Sequence, residues 1–402
     1  MLDFEDARAR LLAAVERLPS ERVALERAHG RVLAEPVIAA SPLPPFSYSA
    51  MDGYALATSD LAGAGPFELG VRGESRTGRP AEPLVPGAAC AISTGAELPS
   101  GADAVVPRED AERTGDAIAL TRRPKPGQHI RRAGEDLAVG GVALVPGMRL
   151  GPAALGLAAS LDATELGVAV RPRVTILCTG DELRAPGSAP KPGKIPESVS
   201  PSLAALAALT GAEVRRLPPV ADEPAPTRRA IAEGLGETDL LLTVGGVSVG
   251  EHDWVRPALE AEGVTLDFWK VAIKPGKPLA FGRRAGGGAW VLGLPGNPAS
   301  AVITFMLFGM PLLRALQGDR EPLPKTLSLP LAAPFEHKPG RLEFVRARIE
   351  RHAGTQAVVP LVNQASGALT SLAWADALAL IPADLAALPA GQPVEVLRVQ
   401  DL

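Results

Sequence analysis

The stretch Ala289-Trp-Val-Leu-Gly-Leu294-Pro-Gly-Asn-Pro298 decides how the middle of this chain is built. Six residues suited to a buried strand run into a Pro-Gly-Asn-Pro turn, and a strongly apolar segment begins at Ala299. Asn297 suits a helix cap and Pro298 the first helical position. A helix start directly after a strand aims backbone N–H groups at whatever sits there, and such places favour anions. Just upstream lies Lys270-Val-Ala-Ile-Lys274-Pro-Gly-Lys277-Pro, with a turn forced between its last two lysines. Spacings of four and then three, on an extended or turning backbone, do not form one helix face. They can wrap ammonium groups around one anion. A lone lysine here would read as a solvated loop; together the two stretches read as a phosphate or oxyanion pocket.

The same pattern extends outward from this point. Val174–Cys178 is a strand ending in Thr179-Gly180-Asp181-Glu182, and Leu240–Val244 is another ending in Gly245-Gly246-Val-Ser248-Val-Gly250. Further strands are expected at 214–217 and 265–271, and helices at 201–209, 227–235 and 253–262. Apolar strands alternating with helices imply a parallel sheet covered on both faces. Ligands then sit beyond the carboxyl ends of the strands. Three strand ends bearing acids, glycines and hydroxyls gather on that edge.

Before this region the chain begins with an amphipathic helix over 3–18 and a second helical stretch over 25–33. Ser41-Pro-Leu-Pro-Pro45 breaks regular structure. Short β-type runs between Gly/Pro turns fill 66–145, and a helix over 152–161 is expected to return against the N-terminal helices. The domain reading is 1–40 plus 146–170 as a helical domain, 41–145 as a β-rich insertion, 171–320 as α/β and 321–402 as a small β domain.

The chain has 402 residues, 46% apolar and 21% charged, with a formal net charge of −4. That length implies several domains. The acidic balance argues against a nucleic-acid binder held by a general basic field, and 4% aromatic residues leave few stacking platforms. Cys90 and Cys178 read as separate buried thiols. Early acids at Asp3, Glu5 and Asp6 oppose a signal peptide, and the apolar run 299–313 reads as a buried helix rather than a span. A cytoplasmic protein without a membrane partner is the expectation. There is no Walker loop, nucleophile elbow or His-Glu-x-x-His motif. Carboxylates, lysines and glycine turns remain, which suit Mg²⁺-assisted chemistry at phosphoanhydrides or oxyanions.

Seven motifs occur in order: Ser49-Ala-Met-Asp52-Gly-Tyr-Ala55, Thr94-Gly95, Arg131-Arg-Ala-Gly-Glu-Asp136, Thr179-Gly-Asp-Glu182, Gly245-Gly-Val-Ser-Val-Gly250 with Asp253, the Lys270–Lys277 stretch, and Gly293-Leu-Pro-Gly-Asn-Pro298. Together they resemble the molybdopterin molybdenumtransferase family, which includes bacterial MoeA and the E domain of gephyrin. The resemblance covers nearly the whole chain. It implies a multidomain α/β and β fold: a three-layer α/β/α molybdopterin-binding domain, an elongated helical N-terminal domain with an inserted β-rich domain, and a C-terminal β-barrel-like domain. It implies that molybdate and adenylylated molybdopterin react with loss of AMP, assisted by Mg²⁺. It further implies a homodimer whose site is shared between subunits, and the pathway's adenylyltransferase as a possible partner.

Carried over by motif, Asp52, Thr94, Asp136, Glu182, Asp222, Asp253, Lys270 and Lys274 are the residues the family needs for activity. Lys270, Lys274 and Lys277 would balance phosphate or molybdate charge, and Glu182 and Asp253 would hold the metal. Gly245, Gly246, Ser248, Pro295, Gly296, Asn297 and Pro298 would contact substrate. Two departures stand out: Ser47-Tyr48 replaces an Asp-Asn pair, and Pro196-Glu197-Ser198-Val199 replaces Tyr-Asp-Ser-Asn. The second removes an amide at Val199 near the expected ligand edge, so either Glu197 and Ser198 compensate or ligand affinity is altered. Two other readings are an adenylyltransferase-like enzyme, whose fold resembles residues 171–318 alone, and a non-catalytic scaffold. AMP release that depends on molybdate separates them from the transferase.

Overall fold

The computed structural model describes residues 1–246, 253–352 and 354–401. Its centre is a six-stranded sheet in the order Glu213–Arg216, Arg173–Cys178, Leu240–Val244, Trp290–Leu294, Pro278–Arg284, Val264–Lys270. The first four strands are parallel. Leu240–Val244 and Trp290–Leu294 are buried throughout, which is why their sequences are continuous apolar runs rather than alternating ones. Alternate residues feed opposite layers. Ile176, Cys178, Leu242 and Leu292 join the core under the helices Val199–Leu209 and Pro298–Leu316. Leu177, Leu241 and Val291 join the core under the helices Pro224–Gly234 and Val255–Ala261.

Pro278–Arg284 departs from the expected parallel sheet: it runs antiparallel to both neighbours. The connections either side of it, 271–277 and 285–289, are too short for the crossover that a parallel neighbour requires. The apolar segment after Asn297 is a 19-residue helix, long and apolar enough to cross a bilayer, yet 89% of its apolar window is buried inside the molecule. It is the core helix of the α/β region. Its middle, Phe305–Gly309, is a π turn. Pro311 lacks the N–H that Leu307 would accept, and its ring crowds that carbonyl, so the wider turn falls where an α-helix would clash.

The N-terminal segments are less helical than expected. Phe4–Ala14 is a helix capped by the Asp3 carboxylate, which accepts from the Glu5 N–H at 2.9 Å. It does not pack with the later helix Pro152–Ser160. Its Phe4 meets Phe308 and Phe344 edge-on, at 5.4 and 5.2 Å between ring centres, so it docks on the core helix and the C-terminal sheet. Residues 25–33 are not a helix: only Leu25–Arg27 form a 3-10 turn, and Gly30 at φ 72° takes the chain out of helical geometry. Ser20–Ala24 pairs with Glu165–Ala169, and Val37–Ile38 with Val142–Leu144. That last strand was expected in the insertion and instead serves the segment flanking it. The insertion has its own six-stranded sheet, ordered Ala104–Pro107, Gly53–Leu56, Ala88–Ile92, Phe67–Ser75, Ala117–Leu120, Ala111–Thr114. The C-terminal sheet runs Ile273–Lys274, Leu342–His352, Ala377–Ile381, Pro393–Arg398, Thr326–Pro330, with Thr355–Pro360 paired to Leu342–His352. Its first strand belongs to the lysine turn of the α/β region.

Candidate active site

Beyond the carboxyl ends of Arg173–Cys178, Leu240–Val244 and Trp290–Leu294 lies a cavity of about 460 Å³. Its shape comes from glycine turns. Gly245 has φ 86°, and a Cβ there would sit 2.6 Å from the Thr179 carbonyl oxygen. Gly246 has φ 61°, and a Cβ would sit 2.2 Å from Val255 Cγ2. Only glycine meets both demands, left-handed backbone and close approach. Gly296 comes up against this turn, its Cβ position 3.5 Å from the Gly245 Cα. The turn Pro295–Pro298 forms the adjoining wall.

The acids stand on the opposite side. Thr179 continues its strand, its N–H donating to the Val244 carbonyl at 2.9 Å, and the Gly180 N–H donates to Val220 at 3.0 Å. Glu182 folds back over Gly180, with Oε2 2.6 Å from where a Cβ would be. The Asp222 N–H donates to Asp181 Oδ1 at 3.1 Å. Glu182 and Asp222 both line the cavity. Asp222 is pushed above the ordinary carboxylate range, first by burial and then by the negative charges of Asp181 and Glu182, against a hydrogen bond from the Asp181 backbone.

Glu197 and Ser198, the residues placed to compensate for the missing amide at Val199, both line the cavity. Glu197 is buried, and its Oε1 accepts from the Val199 and Ser200 N–H groups at 2.6 and 2.7 Å. Its Oε2 accepts from the Ser200 hydroxyl at 2.6 Å. It therefore caps the helix Val199–Leu209. The departure at Val199 is compatible with this arrangement, because the carboxylate two residues earlier satisfies the helix start and the valine is buried. The Cys178 thiol donates to Glu197 Oε1 at 3.5 Å, and burial together with that carboxylate pushes the thiol well above the usual range.

The helix start at Asn297–Pro298 is not the open anion site that its sequence suggests. Asn297 is the N-cap and Pro298 is at the first position, but the Asn297 side chain makes no capping bond. The Ala299 and Ser300 N–H groups both donate to the Ser366 carbonyl, at 3.0 and 3.3 Å. A loop of the C-terminal region thus occupies the donors that an anion would need. Pro295, Gly296, Asn297 and Pro298 still line the cavity.

The lysines are distributed differently from the expected cluster. Lys270 and Lys277 are exposed; the Val271 N–H, next to Lys270, donates to the Lys277 carbonyl at 3.1 Å. Lys274 pairs with Glu343 at 2.7 Å. Among the described residues, Pro278 is the part of this segment that lines the cavity. In the insertion, Asp52 Oδ1 accepts from the Thr94 N–H at 2.7 Å, joining two expected site residues 42 positions apart. That bond, the Thr94 hydroxyl and the Arg108 charge hold Asp52 below the usual carboxylate range. Asp136 is exposed in a separate turn, its N–H on the Leu43 carbonyl at 3.0 Å. Asp253 precedes the helix Val255–Ala261 and does not line the cavity. Ser248 lies outside the described residues.

Three family models match consecutive parts of the chain: the MoeA N-terminal region (domain I and II) over 2–161, a probable molybdopterin binding domain over 175–315, and the MoeA C-terminal region (domain IV) over 328–399. Molybdopterin molybdenumtransferase 2 of Mycobacterium tuberculosis H37Rv is 39% identical, with 93% of this chain and 94% of that protein covered. The chain belongs to the molybdopterin molybdenumtransferase family. The Haemophilus influenzae molybdopterin molybdenumtransferase is 39% identical over 86% of this chain and 85% of its own length. The crystal structure of a molybdopterin biosynthesis MoeA protein from Pyrococcus horikoshii OT3 superposes with a TM-score of 0.86 at 29% identity, covering 99% of this chain and all of that one. Matches on both flanks of the α/β region separate this family member from an enzyme built on that region alone. The cavity falls within the segment matched by the probable molybdopterin binding domain.

Proposed function

We propose that this chain is a molybdopterin molybdenumtransferase that takes adenylylated molybdopterin and molybdate and releases AMP. The observation that carries the reading is the cavity at the strand ends, where glycine turns admit a ligand to the backbone and Glu182 and Asp222 supply charge. The reaction forms bonds between molybdenum and the two dithiolene sulfurs and breaks the phosphoanhydride to AMP. A water equivalent is consumed at phosphorus, and molybdate oxygen leaves as water. The chain's residues bind and orient the reactants. Gly245 and Gly246 let the ligand approach main-chain groups, the Pro295–Pro298 turn closes the far wall, and the insertion brings Asp52 held by Thr94.

The donor set fits a hard divalent cation. Mg²⁺ is usually held by one or two carboxylates completed by substrate phosphate oxygens and water. Glu182 and Asp222 provide such a pair, both lining the cavity, with Asp222 held above the ordinary carboxylate range chiefly by burial. Asp222 lines the cavity with Glu182 and is the partner favoured here, with Asp253 the other candidate. Among the described residues no three acids, histidines or cysteines form a self-sufficient metal site, so substrate would complete the shell. When bound, the ion would supply positive charge to the phosphoanhydride.

The residues of the insertion group and those of the cavity group reach one another in this reading through a homodimer, with Asp52, Thr94 and Asp136 of one subunit completing the cavity of the other. The test is AMP release from adenylylated molybdopterin with and without molybdate and Mg²⁺. Release that needs both supports the transferase. Release without molybdate, or binding with no turnover, refutes it.

A further inference from the structure

Three side chains run in line from the lysine turn into the C-terminal sheet. Lys274 Nζ is 2.7 Å from Glu343 Oε1, and Glu343 Oε2 is 2.6 Å from His337 Nδ1. The His337 side chain is 0% exposed, that of Glu343 5%, and that of Lys274 43%. A buried carboxylate with a different partner on each oxygen has no freedom to rotate. The backbones are locked in the same register: Ile273–Lys274 pairs with Leu342–Glu343, the Leu342 N–H donates to the Ala272 carbonyl at 3.1 Å, and Arg341 donates to the Ile273 carbonyl at 3.3 Å.

Burying a carboxylate to meet a half-exposed ammonium is a poor way to gain stability, because the acid's desolvation offsets the attraction. It is a good way to aim an amine. The base of the pair is rigid and its tip stays open. The turn that carries it is held as well: Gly276 has φ 111°, and a Cβ there would meet Thr304 Oγ1 at 2.3 Å, so the turn presses on the core helix that begins at the cavity wall. Pro278, four residues after Lys274, lines the cavity.

We propose that Glu343 is the positioning residue of the lysine turn. It holds the Lys274 ammonium ready for an oxyanion of the substrate, and His337 fixes the orientation of that carboxylate. The C-terminal region thereby acts on the site through one side chain. The inference deepens the proposed transferase function and rests on it for the identity of the anion, which is either molybdate or the phosphoryl group of the adenylylated ligand.

The experiment has two readouts on the full chain. The first is labelling of Lys274 by an amine-reactive reagent without ligand, measured against exposed Lys270 in the same digest. Glu343→Gln should raise the ratio roughly fivefold, the size of one partly exposed ion pair. His337→Leu should raise it in the same direction, and His337→Asn, which keeps an N–H donor, should return it to the parent value. The second is a mutant cycle on AMP release. Glu343→Gln should raise KM for one of the two substrates, identifying the anion, and should have no further effect in a Lys274→Ala background. An unchanged labelling ratio in Glu343→Gln overturns the inference, as does an equal kinetic effect with and without Lys274. A Lys274→Ala enzyme with full activity refutes the reading of the site itself, whatever the labelling shows.

Discussion

Gly245→Ala tests whether the glycine turn sets the shape of the cavity. The new methyl group would meet two obstacles. At φ 86° an alanine occupies the left-handed region, which costs about 1–2 kcal/mol. Its Cβ would also lie 2.6 Å from the Thr179 carbonyl oxygen. That oxygen belongs to main chain tied to the next strand, since the Thr179 N–H donates to the Val244 carbonyl at 2.9 Å. The contact cannot be relieved by a rotamer change, so the two strand ends must separate, at about 1–3 kcal/mol for overpacking. The sum is about 2–5 kcal/mol, read as a lower denaturant midpoint. Gly296→Ala is the control. Its Cβ would have Gly245 Cα as nearest neighbour at 3.5 Å, an ordinary contact, and its φ is not left-handed. That variant should keep the parent midpoint yet narrow the cavity, raising KM for the adenylylated substrate about tenfold, the size of a methyl clash in a fitted pocket. A Gly245→Ala protein as stable as the parent would refute the close approach of the two turns. A Gly296→Ala enzyme with parent kinetics would show that substrate does not enter between them.

Asp222→Asn should lose activity while making the ligand-free protein more stable at neutral pH. The acid's pKa is raised in the folded state, so the folded chain holds a proton that the unfolded chain has lost, and the penalty grows as pH rises from the ordinary carboxylate value and is complete above the raised one. The stabilisation by Asn should therefore be present at neutral pH and vanish in melts below the ordinary carboxylate range, whereas a constant difference would contradict the assignment. Asp52 has the opposite sign, its pKa being lowered by Thr94. Its contribution is present above the ordinary carboxylate value and is lost as pH falls through the folded value, so Asp52→Ala should flatten the acid limb of the stability curve. Inactive Asp52→Ala and Asp222→Asn chains, unfolded and refolded together, should regain roughly a quarter of parent activity: half the dimers are mixed, and each has one intact site of two. No recovery would place both residues in a site made by a single chain. Leu242→Ala, at a fully buried position of the central strand, should cost about 2–5 kcal/mol in denaturant unfolding.

The strand ends of the α/β region were legible because burial on both faces leaves uninterrupted apolar runs, and because each run stops at glycine or proline. Those turns became the cavity. Pro278–Arg284 was hidden, since it opens on a proline after a lysine-rich turn and ends in two arginines, with no periodic signature. The amphipathic pattern of Phe4–Ala14 revealed a helix but not its partner, because an apolar face carries no address. Its docking on Phe308 and Phe344 is decided by residues some 300 positions away.

The same reasoning explains why charge was harder to read than shape. A lysine-rich turn and an uncapped helix start both look like open anion sites when only their neighbours in sequence are visible. In the folded chain the C-terminal region answers both: Glu343 takes Lys274, and the Ser366 carbonyl takes the Ala299 and Ser300 N–H groups. Both partners lie more than 60 residues downstream, in segments that carry no chemical motif of their own. A region that appears in the sequence as a small appended β domain therefore fixes the partner of Lys274 and covers the donors of the helix start at Asn297–Pro298, which is part of the cavity wall. On this view, loss of the C-terminal sheet would change how the cavity receives an anion as well as how stably the chain folds, because it would release a lysine and uncover two helix N–H groups at once.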